Sequence, residues 1–257
     1  MKALITGAST GFGRDFAIKL SKEGYDIVAV ARSKEKLEEL KKEIDTNLEI
    51  EVMDLSDKKN AYKLHEKYSG QIDLLVNNAG FGECGRFDKT DLDIELNMID
   101  LNIISLHILT KLFYTEFVEK DKGQILNVAS IAAFQPGPLM ETYYASKAYV
   151  YNLTMALYEE NRRNKGNVKI SVLCPGPAET GFFSRANVKF AIKPVSSDYV
   201  TDYALKKLKK NKLLIIPGFI PKATVWANRF LLTRKGSMKV VYSITKRKLY
   251  GKNKWKL

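Results

Sequence analysis

The stretch Met1-Lys2-Ala3-Leu4-Ile5-Thr6-Gly7-Ala8-Ser9-Thr10-Gly11-Phe12-Gly13-Arg14 decides the fold. Its apolar residues 2–6 predict a buried strand, and a helical pattern with Phe16, Ala17 and Leu20 on one face follows the glycines. In open α/β sheets, a glycine turn between strand and helix lets the backbone approach a pyrophosphate, whose charge is attracted by the free N–H groups of the helix start. The spacing Gly-x-x-x-Gly-x-Gly departs from the common Gly-x-Gly-x-x-Gly, but its place between a strand and a helix favours a dinucleotide site.

Alternating elements continue along the chain and define the fold class. Further strands are predicted at residues 26–31, 49–53, 74–76, 123–129, 169–174 and 213–217, with helical patterns between them. This alternation predicts an α/β fold with a doubly wound parallel sheet. We expect one domain over residues 1–235, because no linker divides the chain, and a basic amphipathic extension over residues 236–257.

The composition excludes several classes of protein. Hydrophobic residues make up 45% of the 257, which is ordinary for a globular chain with a full core. Cys84 and Cys174 are too few for a disulfide framework and lack metal-ligand spacing, and two histidines cannot build a His-rich metal site. We therefore expect no metal. The first strand begins at residue 2, which leaves no room for a signal peptide, so we expect a cytoplasmic protein.

The net charge of +13 belongs to the carboxyl-terminal part of the chain. All 29 acidic residues lie at or before Asp202, whereas 16 of the 42 lysines and arginines follow it, interleaved with aromatic residues such as Trp226 and Phe230. Two compatible interpretations follow. The tail docks on an anionic membrane surface, or it covers a substrate pocket and forms an oligomer contact with its lysines solvated. Nucleic acid is not the expected partner, because the attraction of basic residues to phosphate would be the sole feature in its favour.

The residue after the second strand bears on the choice of cofactor. An acid there binds the ribose hydroxyl of NAD, whereas a basic residue accommodates the 2′-phosphate of NADP. Arg32 stands at this position with Lys34 and Lys36 nearby, which favours NADP; the alternative is a solvated surface charge. Asp54, after the third strand, could accept a hydrogen bond from the adenine amino group. Residues 77–80, Asn-Asn-Ala-Gly, end the fourth strand, where small residues let a cofactor lie against the backbone, although a plain turn has the same composition.

Ser130, Tyr143 and Lys147 form the candidate catalytic group. Tyr143 and Lys147 are four residues apart on a predicted helix and so share one face. A phenol is a weak acid/base near neutral pH, and a lysine ammonium beside it, together with the charge of an oxidised nicotinamide, lowers its pKa. Ser130 follows a strand and can orient a substrate carbonyl. Asn102 lies inside a predicted helix over residues 92–117, where it is either a tolerated polar residue or the holder of a water in a proton relay.

In their order along the chain, these motifs resemble those of the short-chain dehydrogenase/reductase family over about residues 1–182. The glycine loop, the Asn-Asn-Ala-Gly turn, the serine thirteen residues before the tyrosine and the Pro-Gly after the sixth strand all match. The resemblance implies a Rossmann-type sheet of seven parallel strands, reversible alcohol–carbonyl oxidoreduction, NADP(H) preferred over NAD(H), and a homodimer or homotetramer. It gives the catalytic roles to Asn102, Ser130, Tyr143 and Lys147. The cofactor-binding residues that it implies are Gly7, Ser9, Thr10, Gly11, Phe12, Gly13, Arg32, Asp54, Asn78, Ala79, Gly80, Tyr143, Lys147, Pro175, Gly176 and Thr180.

The substrate side of the sequence is less specific. Apolar residues after Ser130 and after Thr180 predict a largely apolar pocket with a mobile lid. The residues expected to line it are Phe134, Gln135, Pro138, Met140, Phe182 and Phe183. Such a pocket suits a lipophilic ketone, or a fatty-acyl or steroid-like compound, so the favoured function is NADP-dependent interconversion of a carbonyl and a secondary alcohol. Two alternatives remain: a sensor that binds NADP without turnover, and a membrane-surface protein that uses the basic tail.

Overall fold

A parallel sheet forms the centre of the fold. The computed structural model describes residues 1–180 and 194–250. The strands are β1 (Lys2–Thr6), β2 (Asp26–Ala31), β3 (Leu48–Val52), β4 (Leu74–Asn77), β5 (Gln124–Val128), β6 (Lys169–Leu173), β7 (Ala178–Glu179), β8 (Val195–Ser196) and β9 (Leu214–Ile215). Within the described ranges, seven of them pair in the order β3-β2-β1-β4-β5-β6-β9, and β7 pairs with β8. The order reverses between β1 and β4, the switch point where open α/β sheets bind ligands.

Helices cover both faces of this sheet. They are α1 (Gly11–Lys22), α2 (Lys34–Lys41), α3 (Lys58–Tyr68), α4 (Leu92–Ile99), α5 (Leu106–Glu119), α6 (Glu141–Arg163), α7 (Ser197–Leu208), α8 (Phe219–Phe230) and α9 (Arg234–Tyr250). A π-helix at Asp100–Ser105 joins α4 to α5, and a 3-10 turn at Ile131–Phe134 follows β5. The doubly wound α/β fold with a seven-stranded parallel sheet, predicted from the sequence, is confirmed within the described part of the chain.

The apolar cores lie on both faces of the sheet because neighbouring residues of a strand point to opposite faces. On β1, Ala3 and Ile5 face one core, which α1 fills with Phe16. Leu4 faces the other core, which α5 fills with Phe113. All five side chains are fully buried. A slip of one residue would exchange the two faces, so this burial fixes the register and the position of the loops that follow the strands.

The helix predicted over residues 92–117 is one helical run that changes form at its centre. Asn102 lies in the π-helix between α4 and α5, a wider turn that often marks a functional position. Among the residues that the structure describes, this run, Leu92–Glu119, is the one helix long and apolar enough to cross a membrane by length and composition alone. Its Phe113 and Phe117 are buried in the core against the sheet, which is the position of a core helix.

The helices α8 and α9 pack near the carboxyl ends of β5 and β6. A Cβ on Gly176, in the loop after β6, would lie 2.8 Å from the Pro221 ring of α8. Val225 of α8 packs against the core residues around Val172. In α9, Val241 is buried together with two polar residues. The basic tail therefore contributes a helix, beginning at Arg234, that is partly buried against the rest of the molecule.

Candidate active site

A cleft of about 390 Å³ opens at the carboxyl ends of β1, β2 and β4, and most sequence-predicted cofactor residues meet in it. Those that line the cleft are Gly7, Ser9, Thr10, Gly11, Phe12, Arg32, Asp54, Asn78, Ala79, Gly80 and Thr180. Of the others, Pro175, Gly176, Tyr143 and Lys147 line an adjoining cavity. Sequence reasoning did not assign Ser33, Phe81 and Leu101, which also line the cleft, and it noted Lys36 only as a nearby charge.

The loop between β1 and α1 needs glycine for two different reasons. Gly7 has a φ of 69°, a left-handed backbone conformation that side chains disfavour. A Cβ on Gly13 would lie 2.2 Å from the carbonyl oxygen of Gly7, so the first turn of α1 approaches the loop only because Gly13 has no side chain. In the described part of the chain, the Thr10 side chain makes no capping hydrogen bond to α1, and the first turn of α1 contains no acidic residue. The N–H groups of this turn therefore suit an anion such as a pyrophosphate.

Thr6 joins β1 to the turn that follows β4. Its hydroxyl oxygen accepts hydrogen bonds from the backbone N–H groups of Asn78 and Ala79, each at 3.0 Å. The Asn78 side-chain amide donates back to the carbonyl oxygens of Thr6, at 3.0 Å, and Gly7, at 3.3 Å. The glycine loop and the Asn-Asn-Ala-Gly turn thus form one wall of the cleft. Sequence reasoning gave Thr6 no binding partner, because Asn78 lies 72 positions further along the chain.

The end of the cleft beyond β2 is basic. The Arg32 side chain is 63% exposed there and lies 3.7 Å from the Asp54 carboxylate, and Lys36 lines the same cleft. Asp54 also accepts hydrogen bonds from the N–H and hydroxyl of Ser56. Burial acts to raise the pKa of Asp54, but these bonds and the Arg32 charge outweigh it, so the pKa is lowered. The charged carboxylate holds Arg32 at the edge of the cleft, where its guanidinium can meet a phosphate.

Tyr143, Lys147 and Ser130 converge at the carboxyl end of β5. Tyr143 and Lys147 stand one turn apart on α6, and the Lys147 Nζ lies 5.9 Å from the centroid of the Tyr143 ring. This Nζ donates a hydrogen bond of 3.0 Å to the carbonyl oxygen of Val128, the last residue of β5. The Ser130 side chain hydrogen-bonds with Tyr143 and accepts from the Ala132 N–H at 3.1 Å. The predicted catalytic group is therefore assembled from one strand end and one helix face.

Burial dominates the titration of this group. It raises the pKa of Tyr143, and the hydrogen bond with Ser130 offsets only part of the rise. It lowers the pKa of Lys147 from its ordinary value of 10.5 to about 8. It also raises the pKa of the neighbouring Cys174 thiol to about 12. The expected lowering of the Tyr143 pKa is therefore not produced by the chain's own residues, because desolvation of the phenolate outweighs the interactions that favour it.

Asn102 is fully buried, and its side-chain amide is engaged at both ends. Its Oδ1 accepts from the Phe81 N–H at 3.1 Å, and its Nδ2 donates to the Phe81 carbonyl at 2.9 Å and to the Ser146 hydroxyl at 3.1 Å. Ser146 donates in turn to the Tyr143 carbonyl at 2.7 Å. Asn102 thus ties the loop after β4 to the first turn of α6, which carries Tyr143. Its part in a proton relay stays a prediction.

An apolar cavity of about 300 Å³ adjoins the cleft. Four residues line both spaces, namely Phe12, Asn78, Gly80 and Thr180. Ser130, Tyr143 and Lys147 line the cavity. A Cβ on Gly80 would lie 3.4 Å from the Lys147 Nζ, so the lysine stands where the two spaces meet.

Some of the predicted pocket residues line the cavity and others do not. Gln135 and Met140 line the cavity. Phe134 does not, because the 3-10 turn directs its ring onto Tyr151, with the ring centroids 4.8 Å apart, while Ile131 and Ala132 of the same turn face the cavity. Pro138 is half-buried before α6 and is not part of the lining. Phe182 and Phe183 lie outside the described residues.

Another wall of the cavity comes from α8 and α9. The residues that these helices contribute are Ile220, Pro221, Thr224, Val241, Ile244 and Thr245. Asn228 of α8 donates to the Gln135 side chain and accepts from the Ser237 hydroxyl of α9 at 3.0 Å, which ties both helices to the cavity. Sequence reasoning proposed pocket covering as one interpretation of the tail but named no residue, because helical spacing gives an apolar face without naming what it packs against.

Comparisons with known proteins agree with this architecture. A family model described as short chain dehydrogenase matches residues 1–189. The chain is 36% identical to hydroxysteroid dehydrogenase-like protein 1 of Gallus gallus over 166 residues, which are 62% of this chain and 50% of that protein. It is 35% identical to the very-long-chain 3-oxoacyl-CoA reductase of Homo sapiens over 180 residues, which are 66% of this chain and 57% of that protein. The matched stretches therefore span between 50% and 57% of the length of these two relatives.

A solved structure extends the comparison to the C-terminal helices. The short-chain dehydrogenase from Sphingobium yanoikuyae, in complex with NADPH, aligns with 93% of this chain and 94% of its own, with a TM-score of 0.80 and 27% sequence identity. The alignment therefore includes most of the chain beyond the stretch that the family model matches.

Proposed function

This chain belongs to the short-chain dehydrogenase family, and we propose that it interconverts a carbonyl and a secondary alcohol with NADP(H), acting on a lipophilic ketone or acyl compound. One observation carries the proposal. Ser130, Tyr143 and Lys147 line an apolar cavity that shares part of its wall with the dinucleotide cleft. A carbonyl held where these spaces meet would lie beside both the bound nicotinamide and the Tyr143 hydroxyl.

The cleft fits a dinucleotide phosphate. The close approach of Gly13 to Gly7 and the uncapped start of α1 leave backbone N–H groups for the pyrophosphate. Arg32, with Lys36 beside it, would hold the 2′-phosphate that distinguishes NADP from NAD. Asp54 would meet the adenine, although Ser56 and Arg32 already occupy much of its carboxylate.

In the reductive direction, the bound cofactor supplies a hydride, and the chain supplies the proton and the charge stabilisation. The Ser130 hydroxyl would donate a hydrogen bond to the substrate oxygen, and the Tyr143 hydroxyl would transfer its proton to that oxygen as negative charge develops. Lys147, whose pKa is near 8, would hold an ammonium next to the phenolate that forms. The raised pKa of Tyr143 keeps its proton available up to alkaline pH.

The apolar wall supports a lipophilic substrate. Tyr144, Met140 and Ile131 line the cavity together with the aliphatic residues of α8 and α9, and burial raises the pKa of Tyr144 to about 12, so it stays neutral. Two of the similar proteins are named for hydroxysteroid and for very-long-chain 3-oxoacyl-CoA substrates. A ketone with a long or bulky apolar part is therefore the first class to test.

The cofactor preference is tested by isothermal titration with NADPH and then NADH. We expect tight NADPH binding that Arg32→Asp weakens by roughly a hundredfold, because a charge-assisted contact to phosphate becomes a repulsion. Lys34→Asp is the matched control, since Lys34 is exposed two residues further along the chain but does not line the cleft. Equal loss in both variants, or equal binding of NADH, would contradict the NADP preference.

We further propose a homodimer or homotetramer that acts in the cytoplasm. Leu92, Ile94 and Leu96 of α4 and Tyr149 of α6 are exposed apolar residues, and we propose these two helices as the interface. Leu96→Asp should shift sedimentation toward the monomer, whereas a monomeric wild-type chain would refute the oligomer. The chain's two cysteines are not joined in a disulfide, which suits a reducing compartment.

A further inference from the structure

The outer side of α8 and the turn after it form an exposed apolar patch, which we call the α8–α9 surface. Its six residues are Phe219, Ile220, Trp226, Phe230, Leu231 and Leu232, which are between 39% and 84% exposed. The Trp226 and Phe230 rings are in contact, with centroids 5.8 Å apart. Single exposed apolar residues are ordinary on a protein surface, but a cluster with two joined aromatic rings points to a binding role.

The helix α8 differs from an ordinary surface helix. Its inner side, with Pro221, Thr224 and Val225, lines the cavity and packs on the core. An ordinary surface helix would carry polar residues on the opposite side. Here Trp226 and Phe230 occupy that side, and no residue of α8 is buried. A helix side that faced only water would not be expected to carry these aromatic residues.

The charged side chains of α8, of the turn after it and of the start of α9 all have one sign. Lys222, Arg229, Arg234 and Lys235 are exposed on and beside it, and the sequence holds no acid after Asp202. The Arg229 guanidinium lies 5.4 Å from the centroid of the Phe230 ring, so the cation and the aromatic ring are in direct contact. Aromatic side chains flanked by cations are the composition of helices that lie in the interface of an anionic bilayer.

We propose that the α8–α9 surface docks this protein on an anionic phospholipid bilayer, with the aromatic rings in the interface and the cations at the lipid headgroups. A second copy of the chain is the weaker occupant, because two surfaces of the same positive sign would repel. A bilayer of anionic lipid supplies both the apolar contact and the opposite charge.

Docking in this orientation would also serve the substrate. Ile220 belongs to the α8–α9 surface and also lines the apolar cavity, so the docked face and the cavity wall are continuous. A lipophilic carbonyl could then pass from the bilayer into the cavity without crossing water. This second step rests on the proposed function, whereas the docking does not.

Vesicle co-sedimentation tests the docking with matched variants. The first variant carries Trp226→Ser and Phe230→Ser; the control carries Tyr62→Ser and Phe87→Ser. The removed side chains are nearly equally exposed, at 55% and 64% on the surface and at 53% and 64% elsewhere. With vesicles of phosphatidylcholine and phosphatidylserine, we expect the first variant to bind roughly tenfold or more weakly and the control to bind as the wild type. Pure phosphatidylcholine vesicles should bind all three weakly.

A fluorescence measurement leaves the surface intact. Trp226 and Trp255 are the chain's two tryptophans, so Trp255→Phe makes Trp226 the sole reporter. We expect a blue shift of its emission on adding the anionic vesicles, and quenching by lipids brominated near the headgroup end of the chain. An unchanged spectrum while the protein sediments with vesicles would assign binding to the basic residues elsewhere and would overturn the proposal.

The other outcomes are equally distinct. Equal vesicle binding by the two double variants would refute the α8–α9 surface as the docking site. Loss of self-association in the first variant, without vesicle binding by the wild type, would assign the surface to a second copy. No turnover is needed for these measurements, so the docking and the proposed reaction can fail separately. If both hold, the first variant should raise the KM for a vesicle-borne ketone and leave turnover of a short water-soluble ketone unchanged.

Discussion

The glycine-loop side of the molecule and its carboxyl-terminal helices are held by different kinds of contact. On the glycine-loop side, backbone atoms approach one another closely, as Gly13 does to Gly7, and Thr6 bonds the neighbouring turn through backbone N–H groups. On the carboxyl-terminal side, α8 and α9 contribute side chains to an apolar wall and to a surface. In the first region, an added side-chain atom would overlap the backbone, as a Cβ on Gly13 would. In the second region, a side chain can change while the backbone stays in place.

The largest expected effect concerns Tyr143, the proposed proton donor. Tyr143→Phe removes the hydroxyl proposed to donate the proton and should lower kcat/KM by about a thousandfold, with little change in NADPH affinity. Tyr144→Phe is the matched control, because Tyr144 also lines the cavity but has no lysine four residues later. Turnover is followed by loss of NADPH absorbance with an apolar ketone. Comparable losses in both variants would remove the distinction between the two tyrosines.

The backbone contrast is tested with two glycine substitutions. Gly13→Ala should destabilise the fold by about 2 kcal/mol and weaken NADPH binding, because its Cβ would overlap the Gly7 carbonyl oxygen. Gly236→Ala in α9 would place a Cβ 3.3 Å from the Thr233 hydroxyl, which accepts the Gly236 N–H at 3.1 Å. A shift of a few tenths of an ångström relieves this contact, so we expect a change below about 1 kcal/mol. Urea unfolding measures both. Equal costs would refute the proposed difference between the regions.

The buried ammonium of Lys147, a proposed catalytic residue, is expected to lower the stability of the folded protein. Its pKa of about 8 in the folded chain lies below the ordinary 10.5, so the folded state disfavours the charge. The cost is complete below pH 8, falls as the folded lysine loses its proton above pH 8, and is gone above pH 10.5. This shift corresponds to about 3 kcal/mol at pH 7, and loss of the hydrogen bond to Val128 offsets about 1 kcal/mol of it. Lys147→Met should therefore stabilise the protein by about 2 kcal/mol at pH 7, and this gain should shrink between pH 8 and 10.

Urea unfolding of wild type and Lys147→Met across this pH range measures the difference. A gain that does not depend on pH would mean that packing of the methionine, rather than removal of a buried charge, stabilises the variant. A destabilised variant at pH 7 would mean that the hydrogen bond from Nζ to Val128 outweighs the cost of burial.

The smallest effect tests the link between the carboxyl-terminal helices and the cavity. Asn228→Ala breaks the hydrogen bonds to Gln135 and Ser237 and should cost about 1 kcal/mol and raise the KM for an apolar ketone. Asn152→Ala is the control, because it removes one exposed amide whose hydrogen bond, to the Ala148 carbonyl, stays within α6. An unchanged KM in Asn228→Ala would mean that the cavity does not depend on this link.

Prediction from sequence succeeded where spacing along the chain carries the geometry. The Gly-x-x-x-Gly-x-Gly turn lies between β1 and α1, and the four-residue spacing of Tyr143 and Lys147 places both on one face of α6. It did less well for the cavity. Phe134 follows Ser130 closely in sequence, but a 3-10 turn directs its ring to Tyr151. No residue pattern in the sequence predicted that turn.

The sequence by itself determined the parallel sheet, the dinucleotide loop, the candidate catalytic residues and the sign of the charge on the tail. Each depends on local periodicity or on residues close together in the chain. Only the tertiary structure decided that burial raises the pKa of Tyr143, that Thr6 bonds the turn after β4, and that α8 and α9 complete the cavity and leave aromatic rings exposed. Desolvation and contacts between distant segments depend on which surfaces meet, and a linear pattern does not state that.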